Sequence, residues 1–269
     1  MKYLYESLYL DYVFLFKVKL NILYKIGFVF LKYLLLVKNV IVFNYGKSSI
    51  KVFGKRFYYP NIYGLVSIQR VFADNYFLKE NLRNCETVID IGAHVGEFNI
   101  FAKKYLGAKT VHSFEPMKKS YSLLQKNVNQ NNAYNYAIYT DKSANLHISS
   151  ISTQLNSIKN QNGSDYTESE TVNCVVLDEF LAVNKDTVYD LLKIDVEGAE
   201  FEVISTAQKI IQRCRYLIIE MSVDRAGSEN FMTIISHMHE NHPYLEIAAL
   251  NNYHTGARSI DILFHNNSI

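Results

Sequence analysis

The chain has 269 residues, 49% of them hydrophobic, and a formal net charge of +2 at pH 7. That composition excludes a disordered chain, and the length allows one large domain or two small ones with a substantial core. The small net charge hides an asymmetry: residues 1–60 hold ten Lys/Arg against Glu6 and Asp11, a net of +8, leaving −6 for the rest. A net-acidic body opposes phosphate binding and argues against a nucleic-acid substrate.

Residues 1 to about 45 are dense in Leu, Tyr, Phe, Val and Ile but regularly interrupted by lysine. The longest charge-free run there, Asn39 to Gly46, has eight residues, against the roughly 18–20 that a membrane-spanning helix needs. No alanine precedes Ala73, so a cleavable signal peptide fits poorly. At 100° per residue, Lys17, Asn21, Lys25 and Lys32 fall within an arc of about 80°. Two readings stay open. The lysines snorkel outward while the helix makes a peripheral contact with an anionic membrane, or the helix packs on the catalytic domain or a second subunit.

Residues 40–60 change period and read as two short strands around a turn at Gly46 to Ser49, closed by Pro60. A helix is expected over Ile68 to Glu80. Tyr58, Tyr59, Tyr63, Arg70 and Tyr76 suit either a ligand-lining edge or ordinary packing. Strand and helix then alternate: strands at Thr87–Ile91, Thr110–Phe114, Val188–Ile194 and Arg215–Met221 precede helices at Val95–Leu106, Lys118–Asn131, Ala199–Ile211 and Glu229–Glu240. Shorter strands are expected at Tyr136–Tyr139 and Asn145–Ser149, and a closing antiparallel hairpin at Leu245–Leu250 and Ser259–His265. The polar stretch from Ser149 to Glu170 suits a lid over a site or a disordered loop. This alternation predicts an α/β fold with a mostly parallel, doubly wound sheet and helices on both faces. The division expected is a basic, apolar extension of amphipathic helices and a short hairpin over 1–60 and a catalytic domain over 61–269.

The organising stretch is TVIDIGAHVGEFN, Thr87 to Asn99: a strand, a tight turn and a helix start. Such a unit sets backbone N–H groups and a helix N-terminus around a ligand. The spacing is D-x-G-x-x-x-G rather than the G-x-G-x-x-G of dinucleotide loops. A looser loop behind a carboxylate suits a ligand with a cationic amino group, as S-adenosylmethionine has. Three segments together, VIDIGAHVGEF from Val88, HSFEP from His112 and LLKIDVEGAEFEVI from Leu191, resemble the FkbM family of S-adenosylmethionine-dependent methyltransferases. The resemblance covers roughly residues 85–265. It implies a Rossmann-like class I methyltransferase domain, with a seven-stranded sheet and the closing hairpin at one edge.

Asp90 and Glu115 stand at the ends of two successive strands, facing the crevice of a doubly wound sheet. Glu115 can accept two hydrogen bonds from vicinal ribose hydroxyls, a role the resemblance also implies. Asp90, Gly92, Ala93, His94, Gly96 and Glu115 form the candidate cofactor set. Asp141 joins it as a group that meets the adenine, or is a turn residue. His94 is either loop-shaping or catalytic. The candidate catalytic residues are Asp195, placed beside the transferred methyl as base, substrate anchor or metal ligand, and Glu197, also readable as a helix-start charge. Glu220 could complete a carboxylate cluster, with a divalent ion as an option, and Lys193 reads as a carboxylate's partner. His237 and His239 lie about 200° apart on a helix and cannot share a ligand face. With His242 they read as exposed helix-end histidines.

Cys85, Cys174 and Cys214 are far apart and form no C-x-x-C pair, so they read as buried free thiols in a reducing, cytoplasmic compartment. The expected reaction is O-methylation of a glycan or other hydroxylated small molecule. A lipid-linked or polyketide-like acceptor, or a non-catalytic cofactor-binding or membrane-tethering module, are the alternatives.

Overall fold

The computed structural model describes residues 2–41, 49–59, 64–82, 84–128, 130–149, 157–158, 166–181, 187–222, 229–251 and 259–269. Two helices, α1 (Lys2–Phe16) and α2 (Ile22–Ile41), pack as a hairpin. Asn21 begins the second by accepting the N–H groups of Leu23 and Tyr24 on its side-chain oxygen, at 3.0 and 3.3 Å. The strands β1 (Ser49–Val52) and β2 (Lys55–Tyr58) pair antiparallel around Phe53 and Gly54, whose φ values are +48° and +81°. That Phe-Gly turn, and not Gly46 to Ser49, reverses the hairpin; Ser49 is already in strand, and 46–48 lie outside the described residues.

The expected helix over 68–80 is two pieces, α3 (Gly64–Asp74) and α4 (Leu78–Asn81). Asn75 interrupts it: its side-chain amide donates to the Val71 carbonyl at 3.0 Å, competing with helix continuation. The core follows with β3 (Thr87–Ile91), α5 (Glu97–Phe101) and a π-helical turn at Ala102–Leu106. Next come β4 (Thr110–Phe114), α6 (Lys118–Asn127), β5 (Ala133–Tyr134), β6 (Ala137–Ile138), β7 (Ser143–Ser149), β8 (Tyr166–Val175) and α7 (Leu177–Phe180). The chain ends with β9 (Tyr189–Ile194), α8 (Glu200–Thr206), α9 (Gln208–Gln212), β10 (Cys214–Ser222), α10 (Phe231–Asn241), β11 (Leu245–Asn251) and β12 (Ser259–Asn266).

Seven strands make the main sheet in the order β11-β12-β10-β9-β3-β4-β5, with β12 antiparallel to both of its neighbours and the rest parallel. This is the doubly wound sheet that the alternating pattern predicts, with the antiparallel hairpin at one edge. Successive side chains of a strand point to opposite faces, and the core divides accordingly. Val88 and Leu191 pack into one cluster with Phe14, Phe28, Phe72 and Phe101, while Ile89, Ile91, Leu192 and Ile194 pack into another with Val203, Ile210, Ile234 and Met238. The helical hairpin and α3 therefore share a core with the first face of the sheet.

Two expectations about strands change. The edge strand beyond β4 is Ala133–Tyr134, not Tyr136–Tyr139; Ala137–Ile138 instead pairs with β8 in a separate three-stranded sheet completed by β7. Asn135 ends the edge by donating its side-chain amide to the Glu115 and Pro116 carbonyls, at 2.9 and 2.8 Å. The stretch Ser149 to Glu170 is also not all loop, since β8 begins at Tyr166. Ala207 divides the helix expected over 199–211 into two.

Two lysines of the stripe, Lys25 and Lys32, are turned inward, while Lys17 and Asn21 stay exposed. Lys32 is 1% exposed and its ammonium lies 2.5 Å from Asp11 Oδ1, while buried Lys25 donates to the Leu15 and Val18 carbonyls at 2.5 and 2.9 Å. The Leu15 carbonyl lies in the last turn of α1, where a helix dipole favours a cation, and Val18 follows in the turn after it. A stripe read from one helix alone lacked Asp11 and the carbonyl end of the preceding helix, which make burial affordable for both ammonium groups. No helix among the described residues is long and apolar enough to cross a membrane.

Candidate active site

β3, β4 and β9 are neighbours, so their carboxyl ends bring Asp90, Glu115 and Asp195 to one edge of the sheet. Gly92 and Ala93 donate their N–H groups to the Phe114 carbonyl at 3.1 and 2.9 Å, folding the glycine turn back on β4. A Cβ on Gly92 would lie 1.7 Å from the Asp195 carbonyl oxygen, and its φ is +82°. Gly96, at φ +96°, has Val128 and Leu124 at 2.9 and 3.0 Å from the same position. Both glycines are thus required by protein packing, Gly92 by the β9 turn and Gly96 by α6, whichever ligand the turn faces.

Glu115 is buried, and its two carboxylate oxygens accept the N–H groups of His94 and Met117, each at 2.9 Å. Burial pushes its pKa up to about 7, with His94 and these two N–H donors acting against the rise. Each oxygen retains acceptor capacity after one such bond. His94, at φ +49°, places its ring nitrogen 3.1 Å from Glu97. Burial works to lower the His94 pKa, but Glu97, Glu115 and Asp195 outweigh it and the net direction is upward.

Asp90 is fully buried and neither carboxylate oxygen has a hydrogen-bond partner. Burial raises its pKa to about 6, moderated by Lys193, whose ammonium is 3.8 Å away. Lys193 sits opposite Asp90 in the β3–β9 register and donates to Asp195 Oδ2 at 2.8 Å. Desolvation acts to lower the Lys193 pKa, yet Asp195 and Asp90 hold it above the ordinary value. Its ammonium also lies 5.2 Å from the centre of the Phe98 ring. Asp195 is the most open of these groups, with 28% of its side chain exposed.

Glu197 is half-buried with φ +56°, and its carbonyl accepts the Ser157 hydroxyl at 2.7 Å. Ser157, within the 149–170 stretch, is thereby tied to the turn after β9. Glu200 closes that turn from the other side, accepting the Gly198 N–H at 2.7 Å. Glu220 pairs in register with Asp261 of β12. The pKa of Glu220 stands well above the carboxylate range, chiefly through Asp195 and then burial; Asp261 is raised by burial and then Asp195.

Asp141 is exposed in the turn before β7, and its charge helps to raise the Cys174 pKa. Among the described contacts none joins it to the glycine turn. His242 is buried, not exposed: its ring bonds the Tyr244 hydroxyl at 2.6 Å, and burial lowers its pKa to about 4. His239 is exposed and His237 half-buried. Tyr59 belongs to the core, Arg70 is exposed, and Tyr63 lies outside the described residues. A cleft of about 430 Å³ lined by Phe201, Met232, Ser236 and His237 holds none of the expected site residues. All three cysteines are free and buried. Among the described residues, no three or more His, Cys, Asp or Glu are grouped so as to hold a metal ion.

Sequence reasoning missed Asp261, Asn127 and Asn135. The Asn127 amide donates to the Tyr58 and Val95 carbonyls, both at 2.7 Å, fastening β2 and the glycine turn to α6. Nothing local distinguishes these residues from surface asparagines. Asp261 carried one signal, a charge inside the apolar run SIDILF.

A strand-turn-helix unit of this kind, in a doubly wound sheet, is the architecture of a nucleotide-type cofactor-binding domain. Residues 90–246 match the model of the methyltransferase FkbM domain, and the chain belongs to that family. Among solved structures it is similar to the methyltransferase FkbM from Methylobacillus flagellatus KT, at 15% identity and a TM-score of 0.45, covering 76% of this chain. The present chain spans 54% of that protein's length. It is also similar to magnesium protoporphyrin IX methyltransferase from Synechocystis PCC 6803 with bound SAM, at 14% identity and TM-score 0.41, over 75% of this chain and 76% of the other. A third likeness is M. jannaschii TYW2 in complex with AdoMet, at 13% identity and TM-score 0.44, over 83% and 89%. Comparison with curated proteins gave no match. The family assignment rests on the match over 90–246, not on these likenesses.

Proposed function

We propose that this chain is an S-adenosylmethionine-dependent methyltransferase that methylates a hydroxyl on a glycan or other hydroxylated small molecule. One observation carries the reading: Asp90, Glu115 and Asp195 converge at the carboxyl ends of three adjacent strands, with two of them sharing the Lys193 ammonium. The residues fit the cofactor. Asp90 is buried with both oxygens lacking a hydrogen-bond partner, as a carboxylate facing a cationic ligand group would be. Glu115 keeps acceptor capacity for two ribose hydroxyls after its two backbone bonds. When bound, S-adenosylmethionine supplies the activated methyl group.

Asp195 is the base of this reading. Its contact with Lys193 uses Oδ2, and its partial exposure lets an acceptor approach. An alcohol needs its proton taken as it attacks, and a positioned carboxylate does this. Glu197, one residue beyond Val196, orients the acceptor, and its carbonyl holds the Ser157 hydroxyl beside the same turn. In this reading residues 1–60 are an extension on a methyltransferase domain of 61–269, working in a reducing cytoplasm that suits three buried thiols. A lipid-linked acceptor is the second reading, favoured by the exposed apolar side chains of α1 and α2.

The test is calorimetric titration with S-adenosylmethionine, followed by transfer of its labelled methyl into separate glycan and lipid extracts with mass analysis of the product. Binding with label on a glycan hydroxyl is expected. Label confined to the lipid fraction selects the second reading, and absence of binding overturns both.

A further inference from the structure

The helical hairpin is built inside out. On α2, Ile22, Leu23, Ile26, Phe30, Leu34 and Val37 are all exposed, Leu23 by 76% and Phe30 by 68%. At 100° per residue they fall within an arc of about 120°. Gly27 is the other exposed α2 residue between Ile22 and Leu34, so that stretch of the outer face carries no polar side chain. Over the same length the charged side chains point inward: Lys25 to the carbonyl end of α1 and Lys32 to Asp11, which Tyr33 and Gln69 also bond, each at 2.6 Å. α1 repeats the arrangement, with Asp11 buried and Tyr12 and Phe16 exposed.

We infer that this outer face docks into one leaflet of a lipid bilayer, the hairpin lying along the surface without crossing it. Four observations select lipid over a second protein. An exposed helical face this apolar is unusual on a protein surrounded by water. Protein interfaces carry roughly one hydrogen bond per 100–200 Å² together with a polar rim, whereas the α2 face offers no side-chain donor or acceptor between Ile22 and Leu34. Neutralising lysines internally, against a carboxylate and helix-end carbonyls, is what a hydrocarbon environment requires of charged side chains. The fourth observation is charge complementarity at the rim. Lys17 is exposed at the turn joining α1 to α2, at the end of the apolar face and next to Phe16, where a headgroup phosphate would meet it, while the neighbouring Lys19 pairs with Glu80 at 3.0 Å.

The hairpin is fixed to the catalytic body: Phe14 and Phe28 share a core with Phe72 and Phe101, and the Lys19 N–H donates to the Tyr105 hydroxyl at 3.0 Å. Docking would therefore orient the whole domain. The inference rests on exposure and charge placement in the hairpin, independently of the reaction proposed.

The experiment is flotation of the full chain with phosphatidylcholine vesicles and with vesicles containing added phosphatidylglycerol, beside the variant Leu23→Ser/Ile26→Ser/Phe30→Ser. Circular dichroism melting checks that the variant is folded, which exposed positions permit. Expected is wild-type flotation with both vesicle types, largely retained in high salt, and a bound fraction at least fivefold lower for the variant. Absence of wild-type flotation overturns the inference, as does flotation that survives the triple substitution or that requires anionic lipid and disappears in salt. A wild-type dimer in sedimentation that the same substitutions convert to monomer, without flotation, overturns it in favour of a second copy of the chain.

Discussion

Lys193 and Asp195 form an ion pair of 2.8 Å between residues two apart at the end of β9, on the side where Asp90 approaches the same ammonium at 3.8 Å. Residues two apart share a face of a strand, so the pair is set by the local geometry of the K-I-D segment. The neighbour Asp90 comes from a strand about a hundred positions earlier, through the β3–β9 register. One buried cation therefore serves two carboxylates, and Glu220 and Asp261 lie within reach of its field.

Replacing Lys193 with Met removes that compensation. Loss of one partner from a buried ion pair costs about 3–5 kcal/mol. The carboxylates left behind relieve part of this by taking protons, so the destabilisation should be larger at pH 8 than at pH 5. Urea unfolding at both pH values measures it, and equal losses would remove Lys193 from the role of counter-ion.

Asp195→Asn keeps the shape and removes the charge. Turnover at saturating acceptor should fall by roughly 10²–10⁴, as for a lost general base, while cofactor affinity stays close to wild type. Glu197→Gln, altering the acceptor side, should raise KM more than it lowers kcat. Steady-state kinetics with the identified acceptor separates the two, and unimpaired Asp195→Asn turnover would take that residue out of the chemistry.

Glu115 links stability to pH with a defined sign. Its folded pKa of about 7 lies above the ordinary 4.5, so between those values the folded state holds the proton more tightly than the unfolded state. Stability from this group is full below about 4.5 and is lost as pH rises through 7. Glu115→Gln should flatten the decline across that window and lower stability below about pH 4.5, because the amide keeps one acceptor oxygen for the two N–H groups of His94 and Met117. The same substitution should weaken S-adenosylmethionine binding, because an acceptor-only carboxylate becomes an amide. Melting temperature against pH, with calorimetry at pH 8, tests both halves.

Gly92→Ala should be far more damaging than Gly54→Ala, although both glycines have positive φ. A methyl at 92 meets the Asp195 carbonyl at 1.7 Å, whereas nothing lies within 4 Å of one at 54. The expected costs are about 3 kcal/mol or more against about 1–2, read from denaturant midpoints. Similar values for the two would mean that backbone strain alone, and not the β9 contact, demands glycine at 92.

What the sequence determined by itself was local. Short apolar runs bounded by turn residues or helical patterns marked β3, β4, β9 and β10 to within a residue or so, because apolar runs and turn chemistry are written in adjacent positions. The D-x-G-x-x-x-G turn and the K-I-D strand end were legible for the same reason, and their order carried the family. What only the tertiary structure decided were the partners of charges. Whether Lys25 and Lys32 face outward or pack stayed open in the sequence, and Asp11 and the segment ending α1 decide it by closing on them. Gly92 stood in the candidate cofactor set on its spacing alone, whereas the Asp195 carbonyl is what excludes a side chain there. Asp261 came to stand beside Glu220 only when β12 paired with β10. Burying a charge is costly unless an opposite charge or a dipole is supplied, and here the supplier comes from a distant segment. Side-chain periodicity records which way a residue faces on its own element; it carries no information about what another element brings to that face.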